Sequence, residues 1–371
     1  MLESIPSGLV TIVAFVFMLG LLVLVHELGH FLTAIWLGIK VEEFGFGYPP
    51  RALTLFERKG VKYTLNWLPL GGFVRFGGEG QTVYGVGSLA AASPWSKIAV
   101  LLAGPLMNLV LAIAIFSSLF LVQGIPQQLP GAQVTSVFPG SPAEQAQFKP
   151  GDVLLELNGQ PVDTDLSVIA AVAQANPGKA IPAIVERDGQ RVTLQVTPGP
   201  WEYNGEQRNV GFGFAYSPPI TIEPASLPAA LVEGVRYTFD VLGRFIDGFR
   251  TMILGLFGYG QAPAGGVAGV LGIARGTGEV IQSDGWFGFW RWTALISLNL
   301  FLVNLLPIPA LDGSHILFSL VELLRRGKKI PPEKEAMVHA FGFVMLMGLM
   351  VLITISDVAN WIRGTPVLGG G

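Results

Sequence analysis

Val23-Leu-Val-His26-Glu27-Leu-Gly-His30-Phe31 places two imidazoles and one carboxylate at the end of a long apolar run. On an α-helix, residues four apart share a face, about 40° apart around the axis, so His26 and His30 can grip one metal ion together. Glu27 stands beside them with the proton-handling group that such a site needs. The spacing is that of the helical H-E-x-x-H zinc motif, in which the Glu is the general base. The flanks, Gly8 to Val25 and Phe31 to Leu37, carry almost no polar groups. An ionisable residue at mid-bilayer costs roughly 2.5–3.5 kcal/mol and marks a functional site by default. Three of them in so short a stretch call for a ligand that satisfies them.

The rest of the composition agrees with a membrane setting. The 371-residue chain is 51% hydrophobic and only 13% charged, with a mean hydropathy of +0.54, the balance of a polytopic membrane protein. A net charge of -3 without a basic cluster among aromatics argues against a nucleic-acid partner. The absence of cysteine excludes disulfides and thiolate metal sites. The first apolar segment is too long for a signal h-region, lacks a basic n-region and carries the metal motif, so it reads as a retained membrane helix.

Four transmembrane helices are expected: Gly8 to Leu37, Pro94 to Val122 with a kink at Pro105, Trp290 to Leu306, and Ala336 to about Ile355. Residues 41–80 alternate in a strand-like way around a turn at Gly60, and read as β-hairpins apolar enough to dip into the membrane. Gly104 should let a neighbouring helix approach closely, and Asn108 should act as interhelical glue. From Gly124 to about Gly199 the pattern is that of a compact soluble α+β unit, with turns at Asn158-Gly159 and Asp188-Gly189. Pro224 to Gly258 is amphipathic at helical spacing and should lie on the membrane surface or the outer face of the protein. Gly258 to Gly278 reads as a loop or a broken re-entrant piece, and residues 364–371 as an unstructured tail. The resulting organisation is residues 1–122 for the first half of a membrane core, 123–200 for the inserted unit, 201–285 for the amphipathic helix and Gly-rich connector, and 286–371 for the second half. Basic residues crowd the loops after the first and third helices (Lys40, Arg51, Arg58, Lys59, Lys62, Arg75; Arg325, Arg326, Lys328, Lys329, Lys334). The positive-inside rule puts both loops in the cytoplasm, and the inserted unit and both termini outside.

A catalytic zinc takes three protein ligands and keeps one position open. The chain has four histidines, so candidates for the third ligand are few. Trp36 stands where a metzincin-like extension would need His, and Glu42 and Glu43 lie in the polar loop. Asp312, behind the helix-breaking Pro307-Ile-Pro309, is an acid at a matching depth, and His315 is its rival. His339 reads as an ordinary helix-end residue.

Two resemblances add to this reading. Ser141-Pro-Ala-Glu-Gln-Ala-Gln-Phe-Lys-Pro-Gly-Asp152 makes the inserted unit resemble a PDZ domain, a module that binds extended peptides at a sheet edge. His26-Glu-Leu-Gly-His30, Gly104-Pro-Leu-Met-Asn108, Asn304 to Pro307, Pro309-Ala-Leu-Asp312-Gly313 and the single PDZ-like unit together resemble the site-2 proteases, intramembrane zinc metalloproteases, and among them the bacterial RseP type. The resemblance implies Zn2+ held by His26, His30 and Asp312, with Glu27 activating water. It implies substrate contacts at Asn304 and Pro307, and pairing of an unwound substrate with residues 44–76, including Gly45 and Gly47. It implies single-span membrane substrates such as an anti-sigma factor or remnant signal peptides, and a bacterial inner membrane with the active site near its cytoplasmic side. The chain departs from the family pattern at Ser314 and Gln147, where Gly is usual, at Gly265-Gly266-Val267, where Gly-Pro is common, and in having one PDZ-like unit. The competing readings are a non-catalytic membrane scaffold or chaperone with a closed four-ligand zinc site, His315 being the fourth, and a zinc transporter, which the lack of a polar path through the other helices disfavours.

Overall fold

A computed structural model describes residues 7–77, 87–203, 206–258, 268–326, 328 and 330–364. The expected unstructured tail beyond 364, the departure at 265–267 and the end of the expected hairpin region, 78–80, lie outside the described residues. The chain divides into two units: Met1–Val122 with Leu227–Gly371, and Gln123–Ser226.

The first unit opens with helix α1 (Ser7–Trp36), an unbroken apolar run up to the His-Glu pair. Two long bent strands follow, β1 (Val41–Arg58) and β2 (Val61–Phe76). They pair twice. The start of β1, 41–46, lies between 62–65 on one side and 72–76 on the other, while 51–58 pairs with 61–66. The sheet is therefore laid out as 51–58, 61–66, 41–46, 72–76, and 72–76 forms an edge. Buried Glu43 fastens the layout: it accepts hydrogen bonds from Thr64 (2.8 Å), Arg51 (2.7 Å) and Arg75. Burial alone would raise its carboxyl, but the Thr64 and Arg51 hydrogen bonds and the Arg75 and Arg51 charges hold it below the ordinary value. Phe31 and Ala34 of α1 pack with Val41, Phe44 and Val61 of the sheet and with Val100 of helix α2 (Pro94–Gln123). The far end of the sheet exposes Leu53, Phe56, Trp67 and Leu68.

Among the described residues, the second unit holds ten strands and two short helices. Its main sheet runs β11 (Phe214–Ser217), β4 (Ala132–Val137), β5 (Val153–Leu157), β7 (Ile181–Arg187), β8 (Gln190–Val196), with β6 (Gln160–Pro161) on β5. Helices α3 (Pro142–Gln145) and α4 (Ser167–Ala175) flank it. Strands β3 (Ile125–Gln128) and β12 (Ile220–Glu223) pair with each other, as do β9 (Gly199–Tyr203) and β10 (Glu206–Gly211). The unit thus extends past the expected end at residue 200, because β11 returns to cover β4. Val134, Leu154, Leu157, Val172, Val185 and Val196 form the core. Asp152 is buried and bound by the Arg187 guanidinium through two contacts of 2.7 Å.

The chain returns to the first unit with α5 (Leu227–Leu256), α6 (Val270–Leu305), α7 (Asp312–Leu324) and α8 (Pro332–Ile362). Val241, Tyr237 and Leu242 of α5 pack against α2 and α6, so its apolar stripe covers the helices of its own unit. The expected loop at 258–278 is corrected in part: residues 270–278 are the opening turns of α6, which bends at Gly285 (φ 63, ψ -148). Neighbouring helices, not local sequence, hold that glycine-rich stretch helical; Gly278 lies against Thr11 of α1, where a Cβ would collide. Among the described residues three helices are long and apolar enough to cross a membrane: Gly8–Trp36, Pro94–Gln123 and Glu333–Ile362. The limb of α6 after Gly285, where a further span was expected, carries Arg291, Asn299 and Asn304 among its apolar residues.

Gln147 occupies a left-handed conformation (φ 64), the geometry that favours glycine. Gln147→Gly should stabilise the second unit by about 0.5–1 kcal/mol. Hydrogen exchange of β4 and β5 in the full chain reads this; unchanged or weaker protection contradicts it.

Candidate metal centre

The sequence brings His26 and His30 to one face of α1. Helix α2 fixes which ring atoms point inward. His30 Nδ1 lies 2.8 Å from the Val100 carbonyl oxygen, which can only accept, so Nδ1 carries the proton and Nε2 is left as a lone pair. That approach needs glycine twice. A Cβ on Gly104 would overlap the His30 ring, and a Cβ on Gly29 would overlap the Ala103 carbonyl. Asn108, fully buried, sets its amide 3.2 Å from His26 Nδ1. Its Oδ1 has no partner as oriented. With the amide turned over, Oδ1 accepts from Nδ1–H, which satisfies the oxygen and leaves His26 Nε2 as a second inward lone pair. Val100, Gly104 and Asn108 are four apart along α2, one row of a helix face.

The third group comes from the other end of the chain. Asp312 opens α7, and Gly313 follows because the carbonyls of Leu305 and Leu306 stand where its Cβ would be. Asp312 Oδ2 lies 3.0 Å from His26 Nε2 and 3.5 Å from His30 Nε2, and the two Nε2 atoms are 3.1 Å apart. Oδ2 is buried and faces both ring nitrogens. Three electron-rich atoms thus face one another in a buried place, an arrangement that repels itself unless a cation sits among them. A tetrahedral zinc with ligand bonds of about 2.0–2.1 Å has ligand–ligand edges of roughly 3.3–3.4 Å. The three observed separations bracket that length, so the donor set fits zinc.

Glu27 lines the same cavity, of about 420 Å³, with His26, His30 and Asp312. Its carboxylate accepts from the Val74 backbone N–H, which ties it to the edge strand 72–76. His315 also lines this cavity, but its Nδ1 lies 3.4 Å from Glu335 Oε1. It forms a second group with Glu335 and His339, so the four-ligand closed site expected of a scaffold is not assembled among the described residues. Asn304, half-buried in the last turn of α6, and exposed Pro307 do not belong to the cavity lining. Gly45 lies inside the sheet, its backbone paired with Phe73 and Thr64, and Gly47 (φ 79) turns against the Leu68 carbonyl. Neither glycine is on an open edge. Sequence reading took Asn108 as plain interhelical glue and gave Val100 no role. The four-residue spacing from Val100 through Gly104 to Asn108 was the available signal.

Membrane-spanning helices, an inward cluster of two imidazoles and a carboxylate, and an adjacent glutamate define the class of membrane-embedded metal hydrolases. The comparisons narrow it: residues 14–349 match the model of peptidase family M50, and the chain belongs to that family, the site-2 proteases. It is 30% identical over 438 aligned positions to the zinc metalloprotease RasP of Oceanobacillus iheyensis, covering 94% of this chain and 98% of that one. It is likewise 30% identical to the zinc metalloprotease RasP of Geobacillus kaustophilus, covering 97% and 100%. The chain is an integral membrane zinc metalloprotease.

Gly104→Ala should displace the His30 ring and weaken zinc binding by about 10–100-fold, the usual loss when the support of a ligand is disturbed. Chelator competition on the purified chain measures it, and wild-type affinity would contradict the close-approach argument.

Proposed function

We propose that His26, His30 and Asp312 hold the catalytic zinc and that Glu27 is the general base in cleavage of a transmembrane segment of single-span membrane proteins. The observation that carries this is the convergence of three lone-pair donors, at 3.0–3.5 Å from one another, beside a glutamate in one cavity. Zinc, when bound, supplies Lewis-acid polarisation of the scissile carbonyl and lowers the pKa of water at its open position toward about 7. Glu27 takes a proton from the attacking water and delivers it to the leaving amine. Its hydrogen bond from Val74 holds the carboxylate toward the cavity. His30, fixed by the Val100 carbonyl, presents Nε2 without rearrangement, and His26 does so with the Asn108 amide oxygen turned to its Nδ1.

A transmembrane helix hides its carbonyls in its own hydrogen bonds, so the cleaved stretch must be unwound and its backbone re-paired. We assign that pairing to the edge strand 72–76, not to Gly45 and Gly47. Segment 41–46 is already flanked on both sides, and 72–76 is the edge that contacts Glu27. Asn304 and Pro307 remain part of the proposal as residues that shape the approach of substrate along the end of α6. The limb of α6 after Gly285 is read as the fourth span, supported by its packing against α1 and α2 through Phe289, Ala294 and Leu298. The basic loops support a bacterial inner-membrane location with the metal centre toward the cytoplasm. The unit 123–226, read as a PDZ domain, is then extracytoplasmic, where it contacts a substrate peptide or ectodomain.

Glu27→Gln should retain zinc and lose about 10²–10⁴-fold in cleavage rate of a single-span substrate, while Asp312→Ala should lose the metal itself. Normal cleavage by the first variant removes the base assignment, and full zinc content in the second removes the ligand set. A glycine or proline placed near the cut in the substrate should speed cleavage by wild type; equal rates would speak against the unwinding step.

A further inference from the structure

The group His315, Glu335 and His339 has the composition of a metal site, but its hydrogen bonding points elsewhere. His339 Nδ1 lies 3.1 Å from the backbone N–H of Ala310, which can only donate. Nδ1 is therefore the acceptor, and the proton of the neutral ring sits on Nε2, facing Glu335 Oε1 at 3.9 Å. A ring so protonated has no lone pair to offer a metal at Nε2. The His315 and His339 rings are stacked, with centroids 3.9 Å apart and planes at 17°, so their in-plane nitrogen lone pairs lie in nearly parallel, separated planes and do not converge on one point between the rings.

What His339 does hold is the turn that delivers Asp312. Ala310 is in the left-handed region (φ 75), a conformation an alanine keeps only when its surroundings impose it. Three contacts impose it here. The Ala310 N–H is taken by His339. Pro309 is pressed so closely by α8 that a Cβ on Gly342 would overlap it. Ser314, buried two residues beyond Asp312, donates from Oγ to the Leu311 carbonyl at 2.7 Å and lies 3.5 Å from His339 Nδ1. His339 and Gly342 are three apart on α8 and share a face.

We propose that His339, with Gly342, is a positioning residue for the metal centre: α8 clamps the strained turn 309–311 and thereby sets Asp312 against His26 and His30. This rests on the reading of Asp312 as a ligand. It gives α8, which supplies none of the three donors, a defined part in building the site. It also gives Ser314, a departure from the family pattern, a place in the same network.

The test is metal affinity of the full chain in detergent or nanodiscs, by chelator competition with zinc, together with the visible absorption bands of the cobalt(II)-loaded protein, which report ligand geometry. His339→Leu removes the acceptor and should weaken zinc by about 10–100-fold and alter the cobalt bands. His339→Asn can return an amide oxygen near the Nδ1 position and should bind within about threefold of wild type. Gly342→Ala, which pushes on Pro309 from the same helix, should weaken zinc as His339→Leu does, and it carries the test if His339→Leu loses its helical signal. Wild-type affinity and spectrum in His339→Leu, or in Gly342→Ala should it carry the test, overturn the proposal, and so does equal loss in His339→Asn and His339→Leu. Asp312→Ala is the reference: if it binds zinc like wild type, the ligand reading itself fails, whereas loss there with no loss in the α8 variants refutes only the clamp.

Discussion

Two imidazole nitrogens and a carboxylate oxygen face each other within 3.5 Å in an apolar helix bundle, and the fold of the first unit is arranged to keep them there. Each alone would be cheaper elsewhere: buried polar atoms cost free energy unless paired. Here the pairing is divided in two. The outward atoms, His30 Nδ1 and His26 Nδ1, are engaged by the Val100 carbonyl and the Asn108 amide. The inward atoms are left for a cation. The division works only because α1 and α2 nearly touch at Gly29 and Gly104, bringing a backbone carbonyl within reach of an imidazole. In lipid, where apolar burial between helices gains little, such close contact through small residues is what holds helices together. The glycines that permit association thus also fix the tautomer of the His30 ring.

Hydrolysis inside a membrane also requires room for water and a partner for an unwound backbone. The cavity meets the first need, with the charged pair Lys97–Glu322 (2.8 Å) among its walls. The edge of the bent sheet suits the second. A strand edge exposed to lipid would be unstable, but strand 72–76 lies against α1, with Gly71 on Val23 and Gly72 near Leu24. Glu43, held by two arginines and a threonine, keeps 41–46 in the middle of the sheet and so leaves 72–76 as the edge near the glutamate.

Much of this was legible in the residues. The helical runs, the His26–His30 spacing, the candidate acid at 312 and the turn pairs of the inserted unit are local signals, carried by periodicity and by side chains of fixed chemistry. Other features were not. Segment 41–80 reads as hairpins, yet nothing in it says that β1 pairs twice, because register depends on partners far along the chain. Gly258 to Gly278 has the composition of a loop, and residues 270–278 are helical because α1 packs on them. The second unit runs on to residue 226 because β11 belongs to β4 across some 80 residues of chain.

The sequence by itself determined the kinds of atoms available: two imidazoles on one helix face, a glutamate beside them, an acid after a helix-breaking Pro-Ile-Pro, and enough apolar length to place them in a membrane. These follow from covalent spacing and helix geometry alone. Only the tertiary structure decided which atoms meet. It set Asp312 within 3.5 Å of both imidazoles and left His315 to Glu335, although both stand in the first turn of α7. It turned Asn108 from a generic polar contact into the partner of His26, and it left 72–76 as an edge of the sheet within the hairpin region. Such choices depend on which long-range contacts win, and a linear pattern does not encode that competition residue by residue.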